Sequence, residues 1–384
     1  MGRVADLLQR AQSQTGLAEF GEASYREGLE ILVASVDGEA GLTEAGRAAI
    51  DALIIDLLSK RLEVEDWYGR HPEIDDRQIE APLIGLGLPR TGSTALACLL
   101  AEDPDCRPLR NWEVMSPCPP PDPATASTDP RIAAAEAFMA QRARRFPRMT
   151  AMLPSTATSP TECQSLMGHD FKSQLFQAMV HIPSYVEWLN HKADLVPTYR
   201  YLKRVLKLLQ WRWPTRRWRL KNPSHSLFIG ALNHVFPDAR FVMTHRDVAS
   251  VVPSVADLYY ELHKAFSDTV DLPAIGLETS DFCELGMRRM IAFRDGGEDH
   301  RFFDIHFDPF QQDPFPSIAS LYEFLGEQLT AETRARMQAW RRSKPLDEQA
   351  YARTPPVEFG LDRNELRQQF QFYTDRFGVA PASH

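Results

Sequence analysis

A short glycine-containing loop is the first place in this sequence where residue types and spacing suggest chemistry. The buried apolar run of residues 82–88 ends in this loop, and a helical pattern beginning at Ala95 follows it directly. A loop between a buried strand and a helix aims backbone N–H groups and the positive end of the helix at an anion. The residues that we predict to bind phosphate are Pro89, Arg90, Thr91, Gly92, Ser93 and Thr94.

The loop differs from the phosphate loop of ATPases at one position. Gly87 and Gly92 are five positions apart, as in the Walker motif, but Ser93 occupies the position of the Walker lysine. The cation lies inside the loop instead, at Arg90. A kinase needs Mg²⁺ and lysine to offset a doubly charged phosphoryl group, whereas a sulfuryl group carries less charge. The loop therefore favours sulfuryl transfer, and we expect no metal.

A second cation follows a later strand. Residues 239–244 have the pattern of a strand that ends at His245 and Arg246, and Ser254 lies eight residues beyond Arg246. A guanidinium at the carboxyl end of a strand and a hydroxyl from the next helix would converge on one phosphate. An ion pair of Arg246 with Asp247 or another acid would explain the same residues without a ligand, so this pattern alone leaves both interpretations open.

The elements that position these residues are those of an α/β fold. Strand patterns at residues 82–88, 218–220, 239–244 and 302–307 alternate with helical patterns. This alternation predicts right-handed crossovers and a central parallel sheet with helices on both faces. Residues 1–80 have helical patterns of their own. We expect this helical N-terminal region to pack on an α/β domain of residues 81–384, as one globular unit.

The two anion motifs together resemble those of sulfotransferases that use 3′-phosphoadenosine-5′-phosphosulfate (PAPS), in an actinobacterial-type branch. Residues 89–94 resemble the 5′-phosphosulfate loop of that family, and the pair Arg246 and Ser254 resembles its 3′-phosphate motif. Residues 220–225, 236–242 and 303–308 also resemble the family, and the resemblance covers about residues 82–375. It implies a P-loop-like fold and sulfuryl transfer from PAPS to a hydroxyl group of a small-molecule acceptor, lipid-like alcohols included. The product nucleotide would be 3′-phosphoadenosine-5′-phosphate (PAP).

The resemblance also implies roles for individual residues. Arg90 would bind the 5′-phosphate and the departing bridge oxygen, and Lys221 would stabilise charge at the transferred group. An alcohol must lose a proton as it attacks, so a general base should lie within hydrogen-bond reach. Glu113 is the first candidate, because some bacterial relatives carry a glutamate at about this place. The other candidates for the base, among which the sequence does not choose, are Glu162, His169 and His225.

Composition narrows the remaining functions. The formal net charge of −9 argues against nucleic acid as a partner. Five scattered cysteines without a CxxC pair predict neither a disulfide framework nor a zinc site, and they favour the reducing cytoplasm. No stretch approaches the apolar length of a membrane span, and the first residues lack the apolar core of a signal peptide. A homo-oligomer is left open.

Two other functions fit the same residues. One is a P-loop kinase-like nucleotide-dependent transferase, against which Ser93 argues; the other is a catalytically silent protein that binds PAP. We expect the acceptor site in residues 117–160, 162–190 and 258–277, whose aromatic side chains favour an apolar or amphipathic alcohol. A stretch near Arg353 and Gly360 resembles the family's loop that closes over the cofactor, although a turn with an N-cap at Asp362 explains most of it.

Overall fold

The computed structural model describes residues 2–213, 217–343 and 353–382, and its centre is a five-stranded parallel sheet. The strand order is β2-β3-β1-β4-β5, and each neighbouring pair runs parallel. This architecture confirms the predicted α/β class with a central parallel sheet. The strands are β1 (Leu83–Gly87), β2 (Cys106–Pro108), β3 (Arg217–Lys221), β4 (Arg240–His245) and β5 (Phe302–His306).

Helices cover the sheet and form the N-terminal part of the chain. In the first half they are α1 (Arg3–Thr15), α2 (Tyr25–Gly38), α3 (Glu44–Arg70), α4 (Ser93–Leu100), α5 (Asn111–Met115), α6 (Pro130–Arg145), α7 (Pro147–Met152), α8 (Gln164–Met167), α9 (Gln174–Met179) and α10 (Pro183–His191). In the second half they are α11 (Val196–Gln210), α12 (Ile229–Val235), α13 (Val248–His263), α14 (Leu272–Phe293), α15 (Phe307–Gln312), α16 (Pro314–Leu325), α17 (Ala331–Ser343), α18 (Arg363–Gln369) and α19 (Gln371–Phe377). Short 3₁₀ turns at Pro223–Ser226 and Pro356–Phe359 lie near the site.

The order of the strands brings three strand ends to one edge of the sheet. β1 is buried along its whole length and pairs with β3 on one side and β4 on the other. Strands that are covered on both faces are apolar throughout, which is why β1 is recognisable in the sequence. The carboxyl ends of β1, β3 and β4 carry Gly87, Lys221 and His245. Ligands of open parallel sheets bind at this edge.

The N-terminal helices share one hydrophobic core with the sheet, since Leu29, Leu58 and Phe241 belong to the same cluster of buried side chains. Arg61 of α3 reaches across this boundary and is fully buried. It donates to the carbonyl of Phe20 at 2.7 Å and forms an ion pair with Asp170 at 3.4 Å. Residues 1–80 therefore pack directly on the α/β part, while the division at residue 80 stays a prediction.

The structure contains one strand that the sequence did not predict, the three-residue edge strand β2. Cys106, Arg107 and Pro108 have no apolar alternation, and proline is tolerated only at the edge of a sheet. No periodicity could have indicated this strand. The helix α16 begins at Pro314, because Asp313 caps it by accepting from the N–H of Phe315 at 3.2 Å.

Candidate active site

The loop between β1 and α4 has the backbone shape of an anion-binding turn. Gly92 caps α4 with φ 87°, and a Cβ at this position would lie 3.2 Å from the ring of Phe307. Arg90 has φ 61°, in the left-handed region that residues other than glycine seldom adopt and that is found at functional sites. The first N–H groups of a helix have no intrahelical acceptor, so those of α4 are available to a ligand at this edge.

A buried threonine pair holds the loop in place. The hydroxyl of Thr91 bonds to the carbonyl of Leu88 at 2.8 Å and to the hydroxyl of Thr244 at 2.5 Å. Thr244 is near the end of β4, one residue before His245 and two before Arg246. The pair therefore joins the first anion motif to the strand that carries the second. The sequence analysis did not identify Thr244 as a residue of the site. Its position two residues before Arg246 is the signal that could have indicated this role.

The two anion motifs, separated by about 150 residues, meet in the structure. Arg246 donates from Nη1 to the carbonyl of Arg90 at 3.1 Å, and its guanidinium lies over the ring of Phe307 at 4.0 Å. Arg90 donates from Nε to the hydroxyl of Ser254 at 3.2 Å, and from Nη1 to the carbonyl of Met152 at 2.9 Å. Both predicted phosphate-binding groups thus form one cationic site at the carboxyl edge.

Asp247 caps a helix and pairs with Arg367, not with Arg246. Its side chain caps α13 by accepting from the N–H of Ala249 at 3.1 Å. It also pairs with Arg367 at 2.8 Å, and these bonds hold the pKa of Asp247 below its usual value although burial opposes them. Asp247 therefore does not support the interpretation in which Arg246 is paired with this acid instead of with a ligand.

Lys221 connects β3 to the phosphate loop and to an acid. Its Nζ lies 3.0 Å from Oε1 of Glu162 and donates to the hydroxyl of Thr94 at 3.0 Å. Lys221 is buried, with 7% of its surface exposed, whereas 27% of the Glu162 side chain remains accessible. A lysine, a hydroxyl and a partly accessible carboxylate therefore stand together beside α4.

Glu113 lies in a different environment. Its Oε1 accepts from Arg107 at 2.7 Å, its Oε2 accepts from the N–H of Arg110 at 3.0 Å, and the residue is 1% exposed. This is the geometry of a capping box, in which the carboxylate closes the first turn of α5. Arg107 is itself enclosed between the rings of Trp213 and Trp218. The bonds of Glu113 thus serve packing, and none of them reaches residues 89–94.

The two candidate histidines are buried, and burial lowers the pKa of each to about 3. His169 lies beside the ring of Tyr201, near Arg61 and Lys60, and makes no hydrogen bond with Glu162 among the described residues. His225 follows β3 in the 3₁₀ turn, and its Nδ1 bonds to the hydroxyl of Tyr199 at 2.8 Å. A group with so low a pKa holds a proton poorly, which makes either ring a weak general base.

The segments expected to bind the acceptor hold mostly core aromatic residues. Phe171, Phe176 and Trp188 are buried, and the rings of Phe171 and Phe176 stack at 6.0 Å. A small cavity of about 10 Å³, room for one water molecule, lies between the loop, the 3₁₀ turn and α14. The buried Ser224 hydroxyl borders it and has no hydrogen-bond partner in the described chain.

The C-terminal stretch has the turn and cap that the sequence indicates. Gly360 ends the turn at Pro356–Phe359 with φ 67°, and Asp362 caps α18 by accepting from the N–H of Asn364 at 2.8 Å. Arg353 is exposed. Contact of Arg353 or Gly360 with a nucleotide stays a prediction.

The cationic and hydroxyl groups at this edge could hold a nucleotide that carries two anionic groups. One anion would be bound by the loop and Arg90, and the other by Arg246 and Ser254, which the Arg246 bond to the carbonyl of Arg90 keeps adjacent. Within residues 2–213, 217–343 and 353–382, no three His, Cys, Asp or Glu side chains are grouped so as to hold a metal ion. Independence from metal stays a prediction.

An all-parallel sheet whose central strand runs into a glycine-containing loop before a helix, with two arginines and a lysine at the same edge, is a P-loop-like fold. A model of the sulfotransferase family matches residues 82–331. The chain belongs to this family, which confirms the family that the two motifs indicated.

Solved mycobacterial structures agree over almost the whole chain. Sulfotransferase STF9 from Mycobacterium avium is 34% identical and covers 99% of this chain and 98% of its own, with a TM-score of 0.92. STF1 from Mycobacterium tuberculosis is 30% identical over 96% of this chain and 98% of its own, with a TM-score of 0.86. These matches confirm the fold and the actinobacterial type.

A further mycobacterial relative is similar over a shorter part of the chain. The ω-hydroxy-β-dihydromenaquinone-9 sulfotransferase Stf3 of Mycobacterium bovis is 31% identical over 153 residues. The match spans 38% of this chain and 38% of the length of Stf3.

Proposed function

We propose that this protein transfers the sulfuryl group of PAPS to a hydroxyl group of a lipid-like acceptor and releases PAP. The observation that carries this proposal is the convergence of Arg90, Arg246 and Ser254 at the edge where Lys221 and Glu162 stand. Membership of the sulfotransferase family supports the donor, because PAPS is the sulfuryl donor of that family.

The chain's own residues would hold the donor at both ends. The loop N–H groups and Arg90 would bind the 5′-phosphate, and Arg246 with Ser254 would bind the 3′-phosphate through charge-assisted hydrogen bonds. PAPS supplies an activated sulfuryl group on a phosphate leaving group. Lys221, which donates to the hydroxyl of Thr94 at 3.0 Å, would stabilise the charge that develops on the transferred group, because fixed donors do this better than water.

We further propose Glu162, in place of Glu113, as the general base. Glu113 is 1% exposed, and its oxygens accept from Arg107 and from the N–H of Arg110. Oε2 of Glu162 also has a partner, since it accepts from Gln164 at 2.7 Å, so accessibility is what distinguishes the two acids. Glu162 is partly accessible and lies 3.0 Å from Lys221, so an acceptor hydroxyl at this edge could donate its proton to it.

The acceptor class is supported by Stf3, whose named substrate is a hydroxylated menaquinone derivative. A terminal hydroxyl on an apolar chain needs a base and a cation at the reacting end and an apolar surface elsewhere. Glu162 and Lys221 would be that base and that cation.

Calorimetric titration with PAP, ATP and adenosine-5′-phosphosulfate in the absence of Mg²⁺ tests the donor. We expect tight binding of PAP and weak binding of both other nucleotides. Failure to bind PAP would overturn the proposal and favour the kinase-like alternative, which requires Mg²⁺-dependent turnover. Incubation with PAPS and long-chain alcohols then tests transfer; PAP binding without any sulfated product across that series would favour a silent PAP-binding protein.

A further inference from the structure

Several large apolar side chains are exposed to solvent. Among the described residues, the exposed large hydrophobic side chains are Phe138, Leu153, Leu277 and Val357, with 55% of Phe138 and 76% of Val357 accessible. Single exposed apolar residues are ordinary on a protein surface. These four are different, because they lie in elements that touch one another.

The connecting contacts run from α6 to the C-terminal turn. α6 packs on α7, and Leu153 directly follows α7. Arg148 of α7 donates to the hydroxyl of Thr354 at 3.3 Å, three residues before Val357. The 3₁₀ turn that holds Val357 packs on α14, where Gly276, next to Leu277, lies against the carbonyl of Phe359. We call this surface, defined by Phe138, Arg144, Arg145, Leu153 and Val357, the α6–α7 face.

α6 itself is a helix with little packing of its own. Ala135 is its one buried residue among those described, and it packs with Trp112 and Ala157. The outward stripe of α6 follows helical spacing and is apolar at its start and cationic at its end. The residues of this stripe are Ala134, Ala137, Phe138, Gln141, Arg144 and Arg145.

The charge of this segment is opposite to that of the chain. Residues 130–149 contain five arginines and one glutamate, a net charge of +4, whereas the whole protein carries −9. Arg131 and Arg148 are neutralised by Asp129 and Asp257. Arg144 and Arg145 form no ion pair within the described chain, although Arg145 also lies over the ring of Phe146 at 5.2 Å. The exposed positive charge of the segment thus belongs to the outward stripe.

The α6–α7 face adjoins the candidate active site. Met152, the last residue of α7, accepts from Nη1 of Arg90 through its carbonyl, and Leu153 is the next residue. α7 also packs on α13, the helix that carries Ser254. The end of α7 is therefore in direct contact with Arg90 of the loop.

We propose that the α6–α7 face docks on an anionic lipid surface and draws the lipid-like acceptor from it. The inference rests on the proposed function for the nature of the acceptor. A helix with arginines and aromatic residues on its exposed stripe lies in the interface plane of a bilayer, held by apolar burial and by attraction to anionic headgroups. None of the described helices is long and apolar enough to cross a membrane, so this contact would be peripheral.

Cosedimentation of the full chain with vesicles tests this docking without donor or acceptor. We compare vesicles of phosphatidylcholine alone with vesicles of equal parts phosphatidylcholine and phosphatidylglycerol. The wild type should bind the anionic vesicles and release them at high salt, because salt screens exposed charges. Arg144→Gln/Arg145→Gln should weaken binding roughly 10- to 30-fold, since each arginine near an anionic surface contributes about 1 kcal/mol. Phe138→Ser should weaken it as well.

The matched control is Arg334→Gln/Arg336→Gln, which removes the same charge from the exposed side of α17. It should bind vesicles as the wild type does, and all variants should bind PAP equally. Absence of wild-type binding to anionic vesicles, or equal loss in the α6 and α17 variants, would overturn the docking proposal. Since PAP binding and transfer to an alcohol in detergent micelles are measured separately, either failure is distinguishable from failure of the proposed function.

Discussion

Lys221 and Glu162 form an ion pair of 3.0 Å at the carboxyl edge of the sheet, with the hydroxyl of Thr94 also 3.0 Å from the lysine. The pair joins β3, the start of α4 and the segment before α8. Lys221 is the last residue of β3, so its ammonium group lies at this edge. Its backbone carbonyl accepts from the N–H of Cys163, the residue after Glu162, at 3.0 Å. Side chain and main chain therefore hold the same two segments together.

Glu162→Gln tests the base directly. The amide keeps the shape of the side chain but cannot accept the proton, so turnover should fall by about 10²- to 10⁴-fold while PAP affinity stays within a few-fold. Steady-state kinetics with PAPS and calorimetry with PAP give the two readouts. Glu113→Gln is the comparison, and a larger loss of turnover there, with folding intact, would return the role to Glu113.

Arg246→Ala tests the 3′-phosphate site. Loss of a charged hydrogen bond of roughly 1.5 to 3 kcal/mol should weaken PAP binding by about 10- to 100-fold. Binding of adenosine 5′-phosphate, the analogue with a 3′-hydroxyl, should change much less. Arg240→Ala, at the opposite end of the same strand, is the control and should leave both affinities unchanged. Equal losses for the two nucleotides would remove Arg246 from the 3′ site.

Lys221→Met tests stabilisation of the transferred group. Because the lysine would act on charge that develops during transfer, kcat should fall by about 10²- to 10³-fold with little change in PAP affinity. Lys203→Met provides a control lysine on α11, where Nζ donates to the carbonyl of Val235 at 3.2 Å. If PAP affinity fell in parallel with kcat, Lys221 would be a nucleotide-binding residue only.

Arg61→Leu tests how the N-terminal helices are held on the sheet. The substitution leaves the fully buried Asp170 without its arginine, and breaking such a pair lowers the free energy of unfolding by roughly 3 to 5 kcal/mol. Lys60→Leu removes a more exposed pair with Asp56 on the same helix, where a loss of about 1 kcal/mol or less is expected. Denaturant unfolding of both variants measures the difference; equal losses would contradict the role of Arg61.

His169→Gln tests the buried histidines through pH. Burial lowers the pKa of His169 to about 3, so between about pH 6.5 and pH 3 the unfolded chain binds a proton that the folded chain does not. Stability therefore falls as pH decreases through this window. From pH 6.5 to 5.5 the variant should lose about 1 kcal/mol less than the wild type. Denaturant unfolding at both pH values measures the two losses of stability. Identical losses would show that folding does not lower the pKa of His169.

Sequence reasoning succeeded where a local pattern carries the physics. The strand run before Gly87, the glycine at 92 and the eight-residue interval from Arg246 to Ser254 are all visible along the chain, and the structure brings them to one edge. The sequence did not indicate β2, because three residues with an arginine in the middle have no periodicity.

The choice among acids illustrates the other limit. Glu113 and Glu162 both follow polar or proline-containing stretches, and nothing in either stretch shows whether the carboxylate faces the core or the site. The carboxylate of Glu113 accepts from Arg107, and Arg107 lies on the strand that the pattern did not indicate. The partner of a carboxylate is set by long-range packing, which local patterns do not contain.

By itself the sequence determined the α/β class, the family and the two anion motifs, because buried strands and glycine turns depend on neighbouring residues alone. Only the tertiary structure decided that Arg246 bonds the backbone of Arg90, that Lys221 meets Glu162, and that Glu113 is buried. Each of these contacts joins residues from separate elements. The order of the strands and the packing of helices on the sheet set those distances, and that order arises from the whole fold.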